Sequence, residues 1–285
     1  MNIELIDTFL SLCETRSFNR TAVRLNVTQS TVSGRVQALE RALGHRLLER
    51  SRAGTDLTPE GLRFEPHARA LRLEWTAAER AVRGASGSQV RIGIQHDLLE
   101  DRVADWVGAL QVAVPQTTLY VEADYSPQMC ADLRSGEKDA AILFTPRAAP
   151  DLHFETLGEV SYRMVSTEAE HFADIRPGSY VLANYAPAFS TTHADLLPEL
   201  SGGPVSSGQN AVIRGLLTAL GGTAYVLDAT ARELGRRGIA RAVADAPVIT
   251  QPVHAAVHLR NRHRGPYRRI LRALADLLAD RPNSA

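Results

Sequence analysis

The 285-residue chain has little lysine, cysteine or aromatic side chain. Lys138 is its only lysine, so the positive charge rests on arginine. The two cysteines, Cys13 and Cys130, stand far apart, without metal or disulfide spacing. A reduced, cytoplasmic protein is the expectation. No apolar run approaches the length of a membrane span, and the opening Met-Asn-Ile-Glu-Leu does not read as a signal peptide, so no membrane partner is expected. Neither sign of charge dominates, with 32 basic and 32 acidic residues. Residues 1–88 hold 13 arginines against 10 acidic residues, a small basic surplus. That excludes histone-like binding through bulk charge and leaves placed contacts plus subunit duplication as the route to a polyanion.

Catalytic constellations are scarce too. Gly221-Gly222-Thr223 lacks the lysine of a phosphate loop. His96-Asp97 has no nucleophile spaced with it. His254 and His258, at i and i+4 with His263 beyond, could hold a metal on a helix, but this stretch reads as strand and no carboxylate or cysteine completes the set. No catalytic residue, metal or cofactor is expected, and the chain is not expected to be an enzyme. Arg232, Arg236, Arg237 and Arg241 read as a solvated helix face, with an anionic-ligand or subunit contact as the alternative.

What is present begins at residue 28. Thr28 can cap a helix by accepting a bond from an unpaired backbone N–H. Val32, Val36 and Leu39 follow at i, i+4 and i+7 as one buried stripe. The opposite face carries Ser30, Ser33, Gly34, Gln37 and Arg41, with Gln29 at the tip. Short and amide-bearing side chains let a helix enter the major groove and bond base edges. Upstream, Ile6, Phe9, Leu10 and Cys13 form the stripe of a first helix. A second runs from about Asn19 to Leu25, burying Ala22 and Leu25, and Asn26-Val27 is the turn. This is a helix-turn-helix pattern. Residues 43–58 alternate around a Gly-containing turn and read as a two-stranded wing, with Arg50 and Arg52 placed for phosphates or a minor groove. The winged unit is assigned to residues 1–58.

Thr58-Pro59-Glu60 is a helix start: cap, proline at the first position, acid in the first turn. Phe64, Ala68, Leu71, Trp75, Ala78 and Val82 then recur at steps of four and three, a heptad seam suited to a second copy. The seam would run roughly 27 Å at about 1.5 Å per residue, with a mild kink at Pro66. Residues 59–88 are read as a dimerising linker helix followed by a hinge over 84–88.

Beyond residue 88 strands and helices alternate. Strands are expected at 90–94, 118–122, 139–144, 162–165, 180–183, 224–227 and 253–259. Helices are expected at 98–114, 127–135, 209–220 and 266–278. Strand-helix repetition argues for a parallel α/β unit.

The chain resembles the LysR-type transcriptional regulators. The resemblance rests on Phe9, Ser17-Phe18, Ala22, Leu25, Thr28-Gln29-Ser30, Val32-Ser33, Leu39-Glu40, Leu43-Gly44, Leu47, Arg50 and Leu57-Thr58-Pro59-Glu60-Gly61. Looser echoes are Arg91-Ile92-Gly93-Ile94, Leu133-Arg134-Ser135-Gly136 with Asp139-Ala140-Ala141-Ile142, and 217–224. It implies an all-α winged helix-turn-helix with a long linker helix, then an α/β effector-binding domain at 89–285 built like a periplasmic binding protein. Lobe I would take about 89–162 and 263–285, lobe II about 163–262. It further implies antiparallel pairing of linker helices, dimers or tetramers, a double-stranded operator, a small-molecule effector and, if the protein activates, RNA polymerase. Gln29, Ser30, Thr31 and Ser33 would read bases at the helix that Thr28 caps, and Arg35, Arg50 and Arg52 would anchor phosphates. In a cleft of this kind ligands meet strand ends and helix starts. The candidates are Gln95, His96, Thr145, Asn184, Ser207 and Gln209, with Thr145 and Ser207 expected on opposing lobes of one pocket and free N–H groups near 207–209 expected to hold an anion. The rivals are an architectural DNA binder without an effector and an enzyme using the α/β portion.

Overall fold

The computed structural model describes residues 2–51, 54–82, 89–99 and 103–279, with only the backbone at 50, 51, 80, 81 and 279. The expected hinge at 84–88 lies outside the described residues. The chain divides into two compact units: Met1–Ser86, with Arg134–Glu137, and the remainder from Gly87 onward.

The first unit runs α1 (Ile3–Thr15), α2 (Phe18–Leu25), α3 (Gln29–Leu43), β1 (Leu48–Ser51), β2 (Gly54–Leu57) and α4 (Pro59–Val82). Asn2 caps α1, Ser17 caps α2 and Thr28 caps α3, each accepting a first-turn N–H. Arg16 (φ 51°) and Asn26 (φ 52°) end α1 and α2 in the left-handed region. Ile6, Phe9, Leu12, Ala22, Val32, Val36, Leu39, Leu47, Leu48 and Ala68 form one core. The helix stripes differ slightly from expectation. Leu10, Cys13 and Leu25 are half-buried, while Leu12 and Thr21 take the interior places. Thr21 can be buried because its hydroxyl shares a 2.6 Å hydrogen bond with Thr15.

β1 and β2 are antiparallel, Leu48 opposite Leu57 and Ser51 opposite Gly54. Glu40 ties α3 to this hairpin, its Oε1 accepting from Leu47 N at 2.8 Å and Leu48 N at 3.2 Å. Thr58 joins hairpin to α4: its hydroxyl donates to Arg46 O at 2.7 Å and accepts from Gly61 N at 3.0 Å. At that corner a Cβ on Gly61 would lie 2.1 Å from Leu47 O, so only glycine fits. α4 continues through Pro66 and packs on α1 through Phe64, Ala68 and two ion-paired arginines. Arg69 pairs with Glu14 of α1 at 3.9 Å and with Glu65 of its own helix at 2.5 Å, and Arg72 reaches Asp7 of α1 at 2.7 Å. Burial raises the Asp7 carboxyl above its ordinary value despite Arg72.

The second unit holds β3 (Gln89–Gln95), α5 (His96–Leu99), α6 (Val103–Ala113), β4 (Thr118–Asp124), α7 (Ser126–Ser135), β5 (Ala140–Leu143) and β6 (Leu152–Ser166). Then come β7 (Tyr180–Ala183), α8 (Pro187–Leu196), β8 (Val205–Ser207), α9 (Asn210–Leu220), β9 (Thr223–Leu227), α10 (Asp228–Arg236), β10 (Arg241–Ala242), β11 (Ile249–His258) and α11 (Gly265–Ala279). The strand order is β4-β3-β5-β11-β6-β9-β7-β8, with β10 on β6. β3 is parallel to β4 and β5 on one side, and β7 to β8 and β9 on the other. β6 and β11 run antiparallel between them, from Leu152 opposite His258 to Tyr162 opposite Ile249. Two parallel α/β lobes are thus joined by a pair of long crossover strands. The sequence reading saw only residues 162–165 of the 15-residue β6 and had no counterpart for α8, β8 or β10; its arginine-bearing helix face corresponds to α10, which holds Arg232 and Arg236, while Arg241 lies on β10.

The few aromatics are concentrated. Tyr162, Tyr185, Phe189 and Tyr225 pack ring on ring beside His193 and Tyr180. Their polar ends mostly find partners: Tyr185 donates to Tyr225 O, Tyr225 to Pro247 O, and Tyr180 lies 2.6 Å from His193 Nε2. Lys138 is buried among Asp132, Asp124 and Glu122 at 2.5, 3.1 and 3.2 Å. Burial alone would lower its pKa, but the three carboxylates win and raise it.

Candidate nucleic-acid interface and ligand cleft

α3 buries Val32, Val36 and Leu39 and turns its polar face outward. Thr28 is committed to the cap: its Oγ1 accepts from Thr31 N at 3.2 Å and shares hydrogen bonds with the Ser30 and Thr31 hydroxyls. Gln29, Ser30, Gly34, Gln37 and Arg41 are exposed, while Thr31 and Ser33 are half-buried. Gly34 has open space where a side chain would stand. The result is a low polar ridge over the first two turns of a helix, a shape that a DNA groove can receive. Arg35 is spoken for within the chain, Nη2 pairing with Glu4 at 2.8 Å. Arg50 sits in β1 opposite Thr55 with its side chain outside the described residues, as is the whole of Arg52. Val23 on α2, 83% exposed, was not singled out from sequence, although its flanking Arg20 and Arg24 mark that side of α2 as outward.

The heptad seam of α4 divides. Phe64 lies against Phe9, ring centroids 5.3 Å apart, and Ala68 is fully buried, so both belong to the chain's own core. Leu71, Trp75, Ala78 and Val82 are exposed within one chain. Burial along this stretch falls on Leu73 and Thr76 instead, and Arg72 still reaches Asp7 of α1, so the seam residues stand on a face of α4 left uncovered within the chain.

In the second unit, strand ends and helix starts converge between the lobes. Gln95 ends β3, almost wholly buried, and accepts from Ser126 Oγ at 3.1 Å. The same Ser126 hydroxyl accepts from Phe144 N and Thr145 N. His96 packs on Tyr125, whose hydroxyl accepts from Gln209 Nε2 at 2.6 Å. Asp97, 3% exposed, accepts from Asn210 N at 2.8 Å. Asn210 donates to Thr230 Oγ1 and accepts from Leu227 N. A cavity of about 180 Å³ is lined by His96, Asp97, Leu99, Ala123, Gln209 and Ala211.

Of the six expected cleft residues, His96 and Gln209 therefore meet in one cavity. Thr145 and Ser207 do not line it. Ser207 Oγ accepts from Gln209 N at 3.2 Å, a local turn bond. Asn184 is exposed and bonded to Ser190. At the expected anion site near the start of α9, the Asn210 N–H donates to the Asp97 carboxylate and the Gln209 N–H to Ser207 Oγ. Asp97, Asn210 and Tyr125 were missed as candidates, since their meeting depends on pairing between segments more than 80 residues apart.

A larger cavity of about 500 Å³ lies by β6 and α11, lined by His153, Glu155, Arg262, His263, Arg268, Arg272 and Asp276 among others. His254 is in β11, bonded to Thr156 Oγ1, and burial lowers its pKa. Among the described residues no group of three or more His, Cys, Asp or Glu could hold a metal, and no helix is long and apolar enough to cross a membrane.

Comparison with known proteins assigns a family model to each of the two regions. Residues 3–62 match the family model for the bacterial regulatory helix-turn-helix protein, lysR family, and residues 83–281 match that for the LysR substrate binding domain. The HTH-type transcriptional regulator HdfR of Salmonella dublin is 29% identical over 269 residues, covering 93% of this chain and 94% of that one. HdfR of Salmonella typhi is 29% identical over 260 residues, covering 90% and 91%. Among solved structures, ArgP of Mycobacterium tuberculosis shares the fold at 20% identity and TM-score 0.58, covering 97% of both chains. DarR of Vibrio fischeri, in complex with DNA, does so at 19% identity and TM-score 0.57, covering 97% of this chain and 99% of that one. An amino-terminal helix-turn-helix and a two-lobed ligand domain in one chain, each matched by its own family model, place this protein in the LysR family of DNA-binding, effector-responsive transcriptional regulators.

Proposed function

We propose that the protein reads an operator with the first two turns of α3 and changes its DNA contacts when a small molecule enters the cleft between the lobes. Gln29, Ser30, Thr31 and Ser33 contact base edges. Arg50 and Arg52 of the wing anchor phosphates, and Arg35 does so only by giving up Glu4. Residues 59–88 act as the linker between subunits, with Leu71, Trp75, Ala78 and Val82 covered by the same helix of a second copy. Dimers or tetramers then present two reading helices to two half-sites of a partly palindromic site. If the protein activates, RNA polymerase is its further partner. It works in the cytoplasm.

The observation that carries this reading is the outward polar ridge of α3, anchored underneath by Val32, Val36 and Leu39. The match of residues 83–281 to a ligand domain favours a regulated protein over an architectural binder. Footprinting upstream of the neighbouring gene, with and without candidate metabolites, tests it. A protected, dyad-related site that changes with a metabolite is expected, and uniform protection of any DNA would overturn it. Arg50→Ala should weaken operator and random DNA alike and reduce the salt slope by about 1.

A further inference from the structure

Residues 246–275 contain six arginines and three histidines and no aspartate or glutamate. In a chain with no net charge this is a local concentration of positive charge, far in sequence from the helix-turn-helix. The fold gives part of it a concave shape. Arg268, Leu271, Arg272 and Ala275 fall at i, i+3, i+4 and i+7 of α11, which is one helix face. Opposite stand His153 and Glu155, two residues apart on β6 and so on the same side of the strand. The groove between them is the cavity of about 500 Å³, completed by Arg262, His263 and Asp276. It shares no lining residue with the smaller cavity at the start of α9.

The charges around this groove do not satisfy one another. Among the described residues, Arg262, Arg268, Arg272, Glu155 and Asp276 form no ion pair, and the Arg268 and Arg272 side chains have no hydrogen-bond partner. Arg262 uses only its Nε, which donates to His263 Nε2 at 2.7 Å. Elsewhere arginines are committed to carboxylates, as Arg24 is to Glu14, Arg163 to Asp228 and Arg214 to Glu233. Leu271 is buried and gives the groove an apolar floor.

We propose that this groove is a second ligand site, separate from the cleft, and that it takes a dianionic phosphate group, free or carried on a small metabolite. A guanidinium presents paired N–H donors that match phosphate oxygens two at a time, and three of them can serve the three terminal oxygens of a phosphate monoester. A carboxylate has two oxygens and engages one guanidinium in that way. The volume lies within the roughly 300–1,000 Å³ of small-molecule sites. Leu271 and Ala275 face the carbon skeleton of an ester, and Glu155 and Asp276 accept from its hydroxyl groups.

The test is thermal unfolding of the full chain in sodium phosphate, glycerol 3-phosphate or sodium succinate, against sodium chloride at matched ionic strength. Both phosphates should raise the midpoint by about 2–5 °C along a saturating curve, and succinate should do far less. A larger gain from the ester assigns the carbon skeleton to the apolar floor, and an equal gain assigns the site to free phosphate. Arg268→Ala with Arg272→Ala removes two exposed side chains that hold nothing in the fold, so the chain should stay folded and lose the gain. Arg262→Ala should raise the half-saturating concentration about tenfold, the loss of one charged hydrogen bond. Arg176→Ala with Arg237→Ala, the same loss of charge elsewhere in the second unit, should keep the full gain. A native protein indifferent to both phosphates, a gain that survives without Arg268 and Arg272, or an equal gain from succinate would overturn the proposal.

Discussion

The two ends of the molecule solve recognition in opposite ways. The amino-terminal unit carries its polar ridge on one continuous helix and keeps its core directly beneath, with Val32, Val36 and Leu39 one turn from Ser30 and Ser33. The carboxyl-terminal unit assembles its cleft from residues 95–97, 125 and 209–210, held by bonds between lobes. A convex site on one helix needs only local order. A concave site needs two lobes in register, so its residues are largely bonded to one another before any ligand arrives. The first surface faces solvent with side chains to spare, while the second has its hydrogen bonds already placed.

That contrast can be broken most severely at α4. Leu71→Asp with Trp75→Asp puts charge on the exposed seam while leaving Phe64 and Ala68 in the core. Light scattering should then show monomers, with cooperative operator binding lost and both units still folded. An intact oligomer would place the pairing surface elsewhere. Two glycines of the amino-terminal unit sharpen the comparison between packing and reading. Gly61→Ala drives a methyl into Leu47 O and should cost about 2–4 kcal/mol in chemical denaturation. Gly34→Ala meets nothing, should add about 0.5–1 kcal/mol to helix stability, and should still weaken operator binding if the ridge must stay low.

Smaller effects concern base reading. Gln29→Ala and Ser33→Ala should each reduce discrimination between operator and random DNA by about 1–3 kcal/mol in competition titrations. Equal losses on every sequence would show that these side chains only touch the backbone. The smallest effect distinguishes the second unit by its pH response. Burial lowers the pKa of His193 below 6.5, so the folded state binds fewer protons there than the unfolded one. With the ring neutral, the Tyr180 hydroxyl can donate to Nε2. Stability from this site is therefore full above about pH 6.5 and lost as pH falls below it. Unfolding followed by tyrosine signal between pH 5 and 8 should show that slope, and His193→Gln should flatten it.

Periodicity and capping made the amino-terminal half legible before any coordinates. The spacing of Val32, Val36 and Leu39, the Thr28 cap and the Thr58-Pro59-Glu60 start each describe interactions within four residues of chain. The same local logic misassigned Phe64 and Ala68 to a uniform seam, because a heptad pattern does not say which partner covers which turn. In the second half it found most parallel strands and the helices that follow them. It did not find the full length of β6 or the short β8, whose backbone bonds go to distant strands.

The amino acids alone therefore determined the amino-terminal helices and the alternation of strand and helix, which follow from short-range sterics, capping and burial of one face; the class of protein was legible only through its resemblance to a known family. Only the tertiary structure decided that Asp97 would occupy the start of α9 and that Gln209 would reach Tyr125. Contacts of that kind join residues 113 and 84 positions apart. They exist because two crossover strands bring the lobes together, a long-range pairing that leaves no trace in the local pattern.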